Sequence, residues 1–454
     1  MSTGFSTTSA AAAVAAELNH RLPGGRVLTG PAYDHGRRIW NGAIDHVPAV
    51  IVRPHTGAEV QTAVLAARNH DLPLSVRGGG HDWAGRALRH GGLVIDLSAM
   101  RHVIVDPQSR VATVQGGATA GDVIGAAQAH GLTAAAGTVG GVGMTGLTLG
   151  GGYGPLLGRC GLALDSLLGA EVVLADGSAV VASSAEHPEL YWALRGGGGN
   201  FGVVTSLSLR LHPVPEVLAG LIAYPWSDAS RVWTQLDEIL VEAPDELTVQ
   251  TGILPGPDGG PTVFLSPVWC GDLPDGERVI APLHTLSAPL MANVGPTSYA
   301  GLLSQFDSFV VDGRHYAART RNVSRFTPEV IAALVEAGQR QTSRYSGVVA
   351  HHFHGAATRV PLVSTSFGQR APHRMIEIVA AWEPGDDAAA HVGWAERVDA
   401  DLAPHALPGG YPNMLGPGEH EQIAHAYGSN AARLRTAKEQ FDPDGVFSGI
   451  GLPG

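Results

Sequence analysis

The glycines of this chain cluster in three islands, and no other feature constrains the fold as strongly. The islands read VRGGGH at 76–81, AGTVGGVGMTGLTLGGGYG at 136–154 and GGGGNFGVV at 196–204. Because consecutive glycines lack Cβ atoms, their backbone N–H groups can converge on an anionic ligand at contact distance. Tight turns and bulges use glycine too, so one such loop alone would not indicate a ligand. Three islands in the first half of the chain, the first after a predicted strand, favour an extended ligand that carries phosphate groups.

Composition indicates a folded protein that handles a small molecule. Glycine accounts for 61 of 454 residues, well above the roughly 7% average, and 44% hydrophobic against 15% charged residues favours a compact core. The net charge is −12 without a lysine and arginine cluster, which argues against a nucleic-acid partner. The sequence shows neither a membrane span nor a signal peptide. We therefore expect a cytoplasmic protein without a membrane or nucleic-acid partner, as a monomer or homodimer.

Periodicity divides the chain into segments of different character. AVIVRP at 49–54 reads as a strand, and GAEVVLADGSAVVAS at 169–183 predicts a hairpin around its Asp-Gly turn. Between about 215 and 405 the glycine islands vanish, and amphipathic helices at 226–242 and 325–341 alternate with strands. This change predicts a separate domain in the middle of the chain.

Common phosphate-binding and metal-binding motifs do not account for the islands. The sequence has no GxxxxGK[ST] loop, and GGGYGPLLG lacks the strand and the acidic residue of a Rossmann site. Cys160 and Cys270 have no CxxC partner and no histidine at zinc-site spacing, so we expect no metal. The ligand therefore needs a different dinucleotide-binding fold.

Four stretches resemble the berberine-bridge-enzyme-like branch of the vanillyl-alcohol-oxidase flavoproteins, which have a PCMH-type FAD-binding domain. They are PLSVRGGGHDWAGRALRHGGLVIDLSAM, LGGGYGPLLGRCGLALDSLLGAEVVLADG, LYWALRGGGGNFGVVTSLSLRLHPV and the terminal YPNML with AYGSNAARLRTAKEQFDPDGVF. The resemblance covers about 40–450 and implies an α+β fold with FAD as cofactor. It implies a two-part FAD-binding domain, 1–212 and 406–454, around an inserted substrate domain, 213–405, of antiparallel sheet backed by helices.

The resemblance gives His81 a covalent partner. In this family the histidine of the R-G/S-G-G-H motif is bonded to the 8α-methyl group of the flavin, and His81 stands at that position. A neutral imidazole can add to this electrophilic carbon, and the bond withdraws electrons and raises the potential of the cofactor. The alternative is a histidine that only caps a turn.

A second, cysteine-borne tether is not expected. The family's cysteine lies in a G-x-C-P-x-V-G stretch, which matches GTVGGVG at 137–143 and places Val139 at the cysteine position. Cys160 stands instead where the family has an aromatic residue, so we expect it to be a packed thiol. The resemblance thus implies a single tether at His81.

The same comparison indicates the electron acceptor and the cofactor contacts. Small side chains or valine at the Val142 position accompany oxidases in this family, which favours O2, although an ordinary core valine is the alternative. The FAD contacts that the resemblance implies, besides His81, are Val76, Arg77, Gly78, Gly79, Gly80, Asp82, Gln115, Gly137, Thr138, Gly140, Gly141, Val142, Gly146, Gly152, Tyr153, Gly154, Gly202, Val203, Tyr411 and Asn413.

Candidate catalytic residues come from three segments. GYPNM resembles the family's Y-x-N motif, which makes Tyr411 a base or substrate orienter and Asn413 a hydrogen-bond donor, unless Tyr411 only packs on the flavin. In AHHFHG, strand alternation places His352 and His354 on one face. They either line the substrate pocket, where each is a candidate base, or are ordinary sheet histidines; a metal pair is less favoured because no carboxylate or third ligand is adjacent. Tyr153 in GGGYG is a further pocket residue or packs on the flavin.

Together these observations predict an FAD-dependent oxidase. It would dehydrogenate a small alcohol or amine, of hydrophobic, aromatic or secondary-metabolite type, and pass the electrons to O2 to give H2O2. The alternatives are a flavin dehydrogenase with another acceptor, a carbohydrate oxidase and a non-catalytic flavin-binding protein.

Overall fold

The computed structural model describes residues 3–256, 259–306 and 309–454. Its α-helices are α1 (Thr3–Arg21), α2 (Gly30–Gly36), α3 (Gly57–Asn69), α4 (Ala120–Gln128), α5 (Met144–Gly150), α6 (Leu157–Cys160), α7 (Pro188–Leu194), α8 (Ala229–Val241), α9 (Leu273–Ile280), α10 (Tyr299–Phe306), α11 (Pro328–Gln339), α12 (Ala356–Arg359), α13 (Ala388–Leu402), α14 (His420–Ala426) and α15 (Ala431–Phe441). Its strands are β1 (Val50–Val52), β2 (Leu74–Arg77), β3 (Leu93–Asp96), β4 (Val103–Asp106), β5 (Val111–Gln115), β6 (Leu167–Val173), β7 (Ala179–Ser183), β8 (Val203–Arg210), β9 (Val217–Pro225), β10 (Leu247–Pro255), β11 (Pro261–Trp269), β12 (Met291–Thr297), β13 (His315–Val323), β14 (Gly347–Phe353) and β15 (His373–Trp382).

Two small sheets form the first half of the chain. One is parallel with the order β1-β3-β2, and the other is antiparallel with the order β4-β5-β8-β6-β7. The predicted hairpin is confirmed as β6 and β7, whose turn glycine Gly177 has a φ of +81°. The mixture of helices with these sheets confirms the predicted α+β class.

A seven-stranded antiparallel sheet dominates the middle of the chain. Its order is β12-β9-β11-β10-β14-β15-β13. Helices α8, α11 and α13 cover one face, where Trp233, Leu334 and Trp394 share a buried core with Val348 and Ile376 of the sheet. Alternation of side chains leaves residues of the opposite parity on the second face, and this second face turns toward the glycine islands.

The C-terminal segment returns to the first half of the chain. Tyr427 and Leu434 lie in the same buried core as Trp192 and Phe201. The Lys438 ammonium donates to the carbonyl oxygen of Asn200 at 2.7 Å. The C-terminal segment therefore completes the first half of the chain, which confirms the two-part domain that the resemblance implies.

An asparagine near the N-terminus ties the first half to the seven-stranded sheet. The Asn41 amide nitrogen donates to the carbonyl oxygens of Trp83 and Tyr316 at 2.6 and 2.9 Å, and its oxygen accepts from the Tyr316 N–H at 3.0 Å. Asn41 is buried, so these bonds also satisfy backbone groups that water does not reach.

Candidate active site

A cleft of about 630 Å³ lies between the glycine islands and the second face of the seven-stranded sheet. All three islands contribute to its walls, through Gly78–Gly80, Gly137–Val139 and Gly198–Gly199. Strands β10, β13, β14 and β15 form the opposite wall, and the C-terminal segment closes one side with Tyr411 and Asn413. One cleft that is bordered by all three islands is the arrangement expected for a single extended ligand.

The cleft collects most of the predicted cofactor contacts. Those that line it are Val76, Gly78, Gly79, Gly80, His81, Asp82, Gly137, Thr138, Val142, Gly146, Tyr153, Tyr411 and Asn413. Those placed outside its lining are Arg77, Gln115, Gly140, Gly141, Gly152, Gly154, Gly202 and Val203.

Three of the residues outside the lining have structural roles instead. Arg77 donates to the Asp96 carboxylate at 3.2 Å, and the Gln115 side-chain oxygen accepts from the His102 N–H at 3.0 Å. A Cβ atom on Gly154 would overlap the carbonyl group of Ala136, so that glycine serves the close approach of two chain segments. The sequence pattern alone does not distinguish glycines of this kind from glycines that face a ligand.

Two islands meet at the floor of the cleft through glycine alone. A Cβ atom on Gly79 would overlap the backbone of Gly143, and a Cβ atom on Gly141 would stand 3.3 Å from His81 Nε2. The backbones of Gly79 and Gly143 therefore approach each other more closely than any side chain would allow, and Gly141 leaves little room beside the imidazole. This glycine cradle around one histidine fits a flat, phosphate-bearing cofactor such as FAD.

His81 is held in an aromatic stack. The Trp40 ring lies 5.0 Å from the imidazole at an interplanar angle of 17°, and the Tyr316 ring lies 3.9 Å from Trp40 on its other side. Burial lowers the pKa of His81, against a smaller opposing effect of Asp312. The imidazole is therefore neutral at neutral pH, which is the form that can act as a nucleophile.

Tyr411 and Asn413 enter the cleft through a gap left by α5 and its following glycines. A Cβ atom on Gly150 would overlap the Asn413 amide, and one on Gly151 would stand 2.7 Å from the Tyr411 ring. The Tyr411 oxygen accepts hydrogen bonds from the Gly152 N–H and from Asn413 Nδ2, both at 2.9 Å. Its own hydrogen remains available for a third partner.

The Tyr411 hydroxyl is protonated at neutral pH. Burial raises its pKa to about 12, and the charge of Glu377 acts in the same direction. The two donated hydrogen bonds act the opposite way but do not offset burial. Tyr411 therefore enters the chemistry of the cleft as a hydrogen-bond donor rather than as a base.

Tyr153 stands at the centre of an aromatic cluster. Its ring lies 4.7 Å from Tyr411 and 5.4 Å from Phe353. Its hydroxyl donates to His373 Nε2 at 2.8 Å, because His373 Nδ1 donates to the carbonyl oxygen of Ala371 at 2.8 Å. Burial lowers the pKa of His373 to about 4 and raises that of Tyr153. Tyr153 is thus a fixed, neutral wall of the cleft.

The histidines of β14 alternate as predicted, but the cleft face carries His351 rather than His352 and His354. The neighbouring residues Val348 and Ala350 pack into the core under the helices, so His352, at the same parity, points to that side. The His352 and His354 rings stack at 3.8 Å, and burial lowers the pKa of both. Alternation separates the two faces of a strand without telling which one the helices cover.

Three polar side chains that the sequence patterns did not single out meet on the cleft face. Gln250 Nε2 lies 2.8 Å from His351 Nδ1, and His351 Nε2 lies 3.3 Å from Glu377 Oε2. Gln250 lies among Leu, Thr, Val and Ile residues in LTVQTGILP, and Glu377 interrupts the apolar run MIEIVAAW within HRMIEIVAAW. A polar residue within an apolar strand was the available signal for this group, which we name the Gln250–His351–Glu377 triad.

Cys160 is a buried thiol, as expected, and Cys270 is buried as well. Burial raises the pKa of Cys160 to about 12 and that of Cys270 to about 11. Neither thiol lines the cleft, whereas Val139 does. This arrangement matches the register in which Val139 takes the place of the family's cysteine.

Comparisons with known proteins agree with this geometry. A family model described as an FAD binding domain matches residues 48–183, and one described as berberine and berberine like matches residues 410–449. The chain is 30% identical to (R)-6-hydroxynicotine oxidase of Paenarthrobacter nicotinovorans, over 91% of this chain and 93% of the relative. It is also 30% identical to xylooligosaccharide oxidase of Thermothelomyces thermophilus, over 90% and 87%.

Solved structures share the fold over nearly the whole length. The crystal structure of 6-hydroxy-D-nicotine oxidase from Arthrobacter nicotinovorans has a TM-score of 0.86 at 28% identity, with 94% of this chain and 97% of that chain covered. Glucooligosaccharide oxidase from Acremonium strictum, whose structure carries a 6-S-cysteinyl, 8α-N1-histidyl FAD, has a TM-score of 0.84 at 22% identity, with 97% and 99% covered. The chain belongs to the berberine-bridge-enzyme-like family of FAD-linked oxidoreductases.

Proposed function

We propose that this protein is an oxidase that carries FAD covalently on His81 and dehydrogenates a small hydrophobic amine or alcohol, with O2 as acceptor and H2O2 as product. One observation carries the proposal. Glu377 and Tyr411 line, from different walls, the same cleft that holds His81 and all three glycine islands. The cleft thus combines a carboxylate, a phenolic donor and a neutral imidazole.

The side chains of the cleft have separate roles in such a reaction. Bound FAD supplies the hydride acceptor for a C–H bond next to oxygen or nitrogen. Glu377, partly exposed to the cleft, takes the proton of the substrate's hydroxyl or ammonium group. Tyr411 donates its hydrogen to the same heteroatom and so orients the C–H bond. Apolar neighbours exclude water.

The wall around Glu377 favours an apolar substrate with a basic or neutral polar end. Phe264, Val349, Met375 and Val379 line the cleft on the same sheet face. A carboxylate among such side chains attracts a cationic amine more strongly than a neutral sugar. One relative is named for oxidation of a hydroxynicotine and another for oxidation of xylooligosaccharides, so carbohydrate oxidation is the second candidate.

Val142 supports O2 as the acceptor. Its side chain lines the cleft, at the position where the family resemblance associates valine with oxidases. Stopped-flow mixing of the reduced protein with air-saturated buffer tests this assignment. Rapid reoxidation is expected, whereas slow reoxidation would indicate a dehydrogenase with another acceptor.

The covalent link to His81 has a direct test. Coupling joins an imidazole nitrogen to the 8α carbon and removes two hydrogen atoms, one from each, which O2 accepts overall. Denatured wild-type protein should retain its flavin, and His81→Ala should release it. A flavin-bearing peptide that contains Cys160 and not His81 would contradict the single tether.

The reaction is tested by anaerobic bleaching of the flavin with panels of amines, alcohols, phenols and sugars. We expect bleaching by an aromatic amine or alcohol, slowed by roughly 10²- to 10⁴-fold in Glu377→Gln because the proton acceptor is lost. Bleaching by sugars alone would favour the carbohydrate oxidase. A flavin that none of these compounds bleaches would indicate a non-catalytic flavin-binding protein.

A further inference from the structure

We propose that Gln250 is a positioning residue that holds His351 as the neutral tautomer with its hydrogen on Nε2, and thereby keeps Glu377 the anionic proton acceptor of the cleft. This inference rests on the proposed function. It assigns the regulation of the base to a residue two strands away from it.

Sheet register places the triad without help from loops. Strands β10, β14 and β15 are consecutive neighbours in the sheet. Gln250 is directly opposite His351 in the ladder of β10 and β14, and Glu377 lies opposite Val349, two residues from His351, on β15. Gln250 is 5% and His351 8% exposed, so the backbone and packing fix both side chains.

Hydrogen-bonding capacity determines where the hydrogen of His351 resides. An ionised carboxylate only accepts, so the 3.3 Å contact with Glu377 Oε2 requires a hydrogen on Nε2. An amide nitrogen only donates, so the 2.8 Å contact with Gln250 Nε2 requires a bare Nδ1. The two partners therefore specify the same neutral tautomer from opposite sides of the ring.

His351 is therefore an uncharged hydrogen-bond donor beside Glu377, the proposed base. With Nδ1 occupied by a donor, His351 has no free nitrogen for a second proton, so it does not become an imidazolium that would weaken Glu377 as a base. The bond to Oε2 also orients the carboxylate and leaves Oε1 for the substrate.

Arg314 and Arg344, which line the same cleft, make none of the triad's hydrogen bonds, and Arg314 pairs with Glu383 at 2.9 Å. The phenols next to the triad are neutral. Tyr153 lies edge-on to His351 with ring centroids 6.1 Å apart, and Tyr411 interacts with Glu377. Burial raises the pKa of both phenols, so both are neutral near pH 7. On β13, the residue opposite Glu377 is the uncharged Thr320.

Two substitutions of similar size distinguish the effect of the Gln250 hydrogen-bond donor from the effect of its packing. Gln250→Glu replaces the donor by an acceptor, so both ring nitrogens of His351 then face carboxylates and the imidazolium is favoured. Gln250→Met keeps the length of the side chain and removes the polar group, so His351 loses its constraint without gaining a charge.

The first readout is the protonation of the ring, measured by NMR on holoenzyme labelled with nitrogen-15 histidine, without substrate. The His351 signals are assigned by their loss in His351→Gln. At pH 7.5 the wild type should show hydrogen on Nε2 and a bare Nδ1, and Gln250→Glu should show hydrogen on both nitrogens.

The second readout is the pH profile of anaerobic flavin reduction. In Gln250→Glu the acidic limb of the rate profile should move down by about 1 to 3 pH units, because a cation beside a carboxylate stabilises its charged form. The plateau rate should be lower than in the wild type. In Gln250→Met the limb should stay in place while the rate falls by up to about tenfold for one lost hydrogen bond.

Two results would overturn the inference: a wild-type ring with hydrogen on Nδ1, or a Gln250→Glu protein whose ring signals and pH profile match the wild type. Failure of the proposed function has a different signature. Glu377→Gln would then bleach at the wild-type rate, while the wild-type ring signals, recorded without substrate, would still report the tautomer.

Discussion

At the scale of single residues, the plane of the His81 ring is set by its neighbours. The Trp40 ring is stacked between His81 and Tyr316, and the Trp40 backbone N–H donates to the carbonyl oxygen of Gly80 at 3.0 Å. A reacting nitrogen must point at its target, and a displacement of about 1 Å can cost 10²-fold in rate. For the proposed covalent attachment of FAD, the stack would hold the His81 ring in a fixed plane.

Trp40→Leu should slow the attachment of FAD by roughly 10- to 100-fold, because the imidazole loses its stacking partner. The measurement is in-gel flavin fluorescence of denatured protein during incubation of the apoprotein with FAD. Trp40→Phe should retain most of the attachment rate. Trp226→Leu removes a ring that packs edge-on against Trp233 at 5.8 Å and is the matched control; equal rates in the two leucine variants would contradict this role of Trp40.

Single residues also show how much of the candidate site can be predicted from the sequence. The family resemblance implies that His81, Tyr411 and Asn413 belong to the site, through the R-G/S-G-G-H and Y-x-N motifs, and all three line the cleft. The motifs miss His351 and Glu377 because the role of these residues depends on which face of a sheet the helices cover, and that is decided by packing between segments far apart in the chain. Strand alternation predicts the two faces, and only the assembled core distinguishes them.

At the scale of elements, helix α5 and the C-terminal segment pack closely because Gly150 and Gly151 have no side chains. Gly150→Ala places a methyl group where the Asn413 amide lies, so we expect a loss of about 1–3 kcal/mol in the free energy of unfolding from overpacking. Turnover should fall as well, since Asn413 donates to the Tyr411 oxygen. Denaturant unfolding and anaerobic flavin reduction measure the two effects.

Gly125→Ala is the matched control for that substitution. Gly125 lies in the exposed interior of α4 with open space around its Cα, so alanine should stabilise the protein by about 0.5–1 kcal/mol through its helix propensity. A Gly150→Ala protein as stable as Gly125→Ala would show that the C-terminal segment adapts without cost.

At the scale of the whole molecule, buried neutral histidines make stability depend on pH. Burial lowers the pKa of His212, His354 and His373 from 6.5 to about 4. Between these values the unfolded chain binds protons that the folded protein does not, so the free energy of unfolding falls as pH falls from 6.5 to 4. Above pH 6.5 both states are neutral and the effect is absent.

Urea unfolding at constant ionic strength between pH 7.5 and 4.5 should show this loss, at up to about 1.4 kcal/mol per pH unit for each histidine. His212→Gln removes one titrating group and keeps an oxygen or nitrogen near Ser166, the partner of His212 at 3.0 Å. The free energy of unfolding of this variant should depend less steeply on pH, by the uptake of about one proton. A wild-type free energy that stays constant down to pH 5 would contradict the assignment.

The fit of Tyr411 and Asn413 into the space left by Gly150 and Gly151 has a consequence for the order of events in synthesis. Residues that border one cleft are separated by more than half of the chain, and the later ones follow the whole seven-stranded sheet. The cleft of a nascent chain on the ribosome stays open on one side until residues 410–415 have emerged. Capture of FAD by a finished site is thus an event that follows translation of the sheet, and a stalled chain that ends before Tyr411 would present the glycine islands without the wall that closes them.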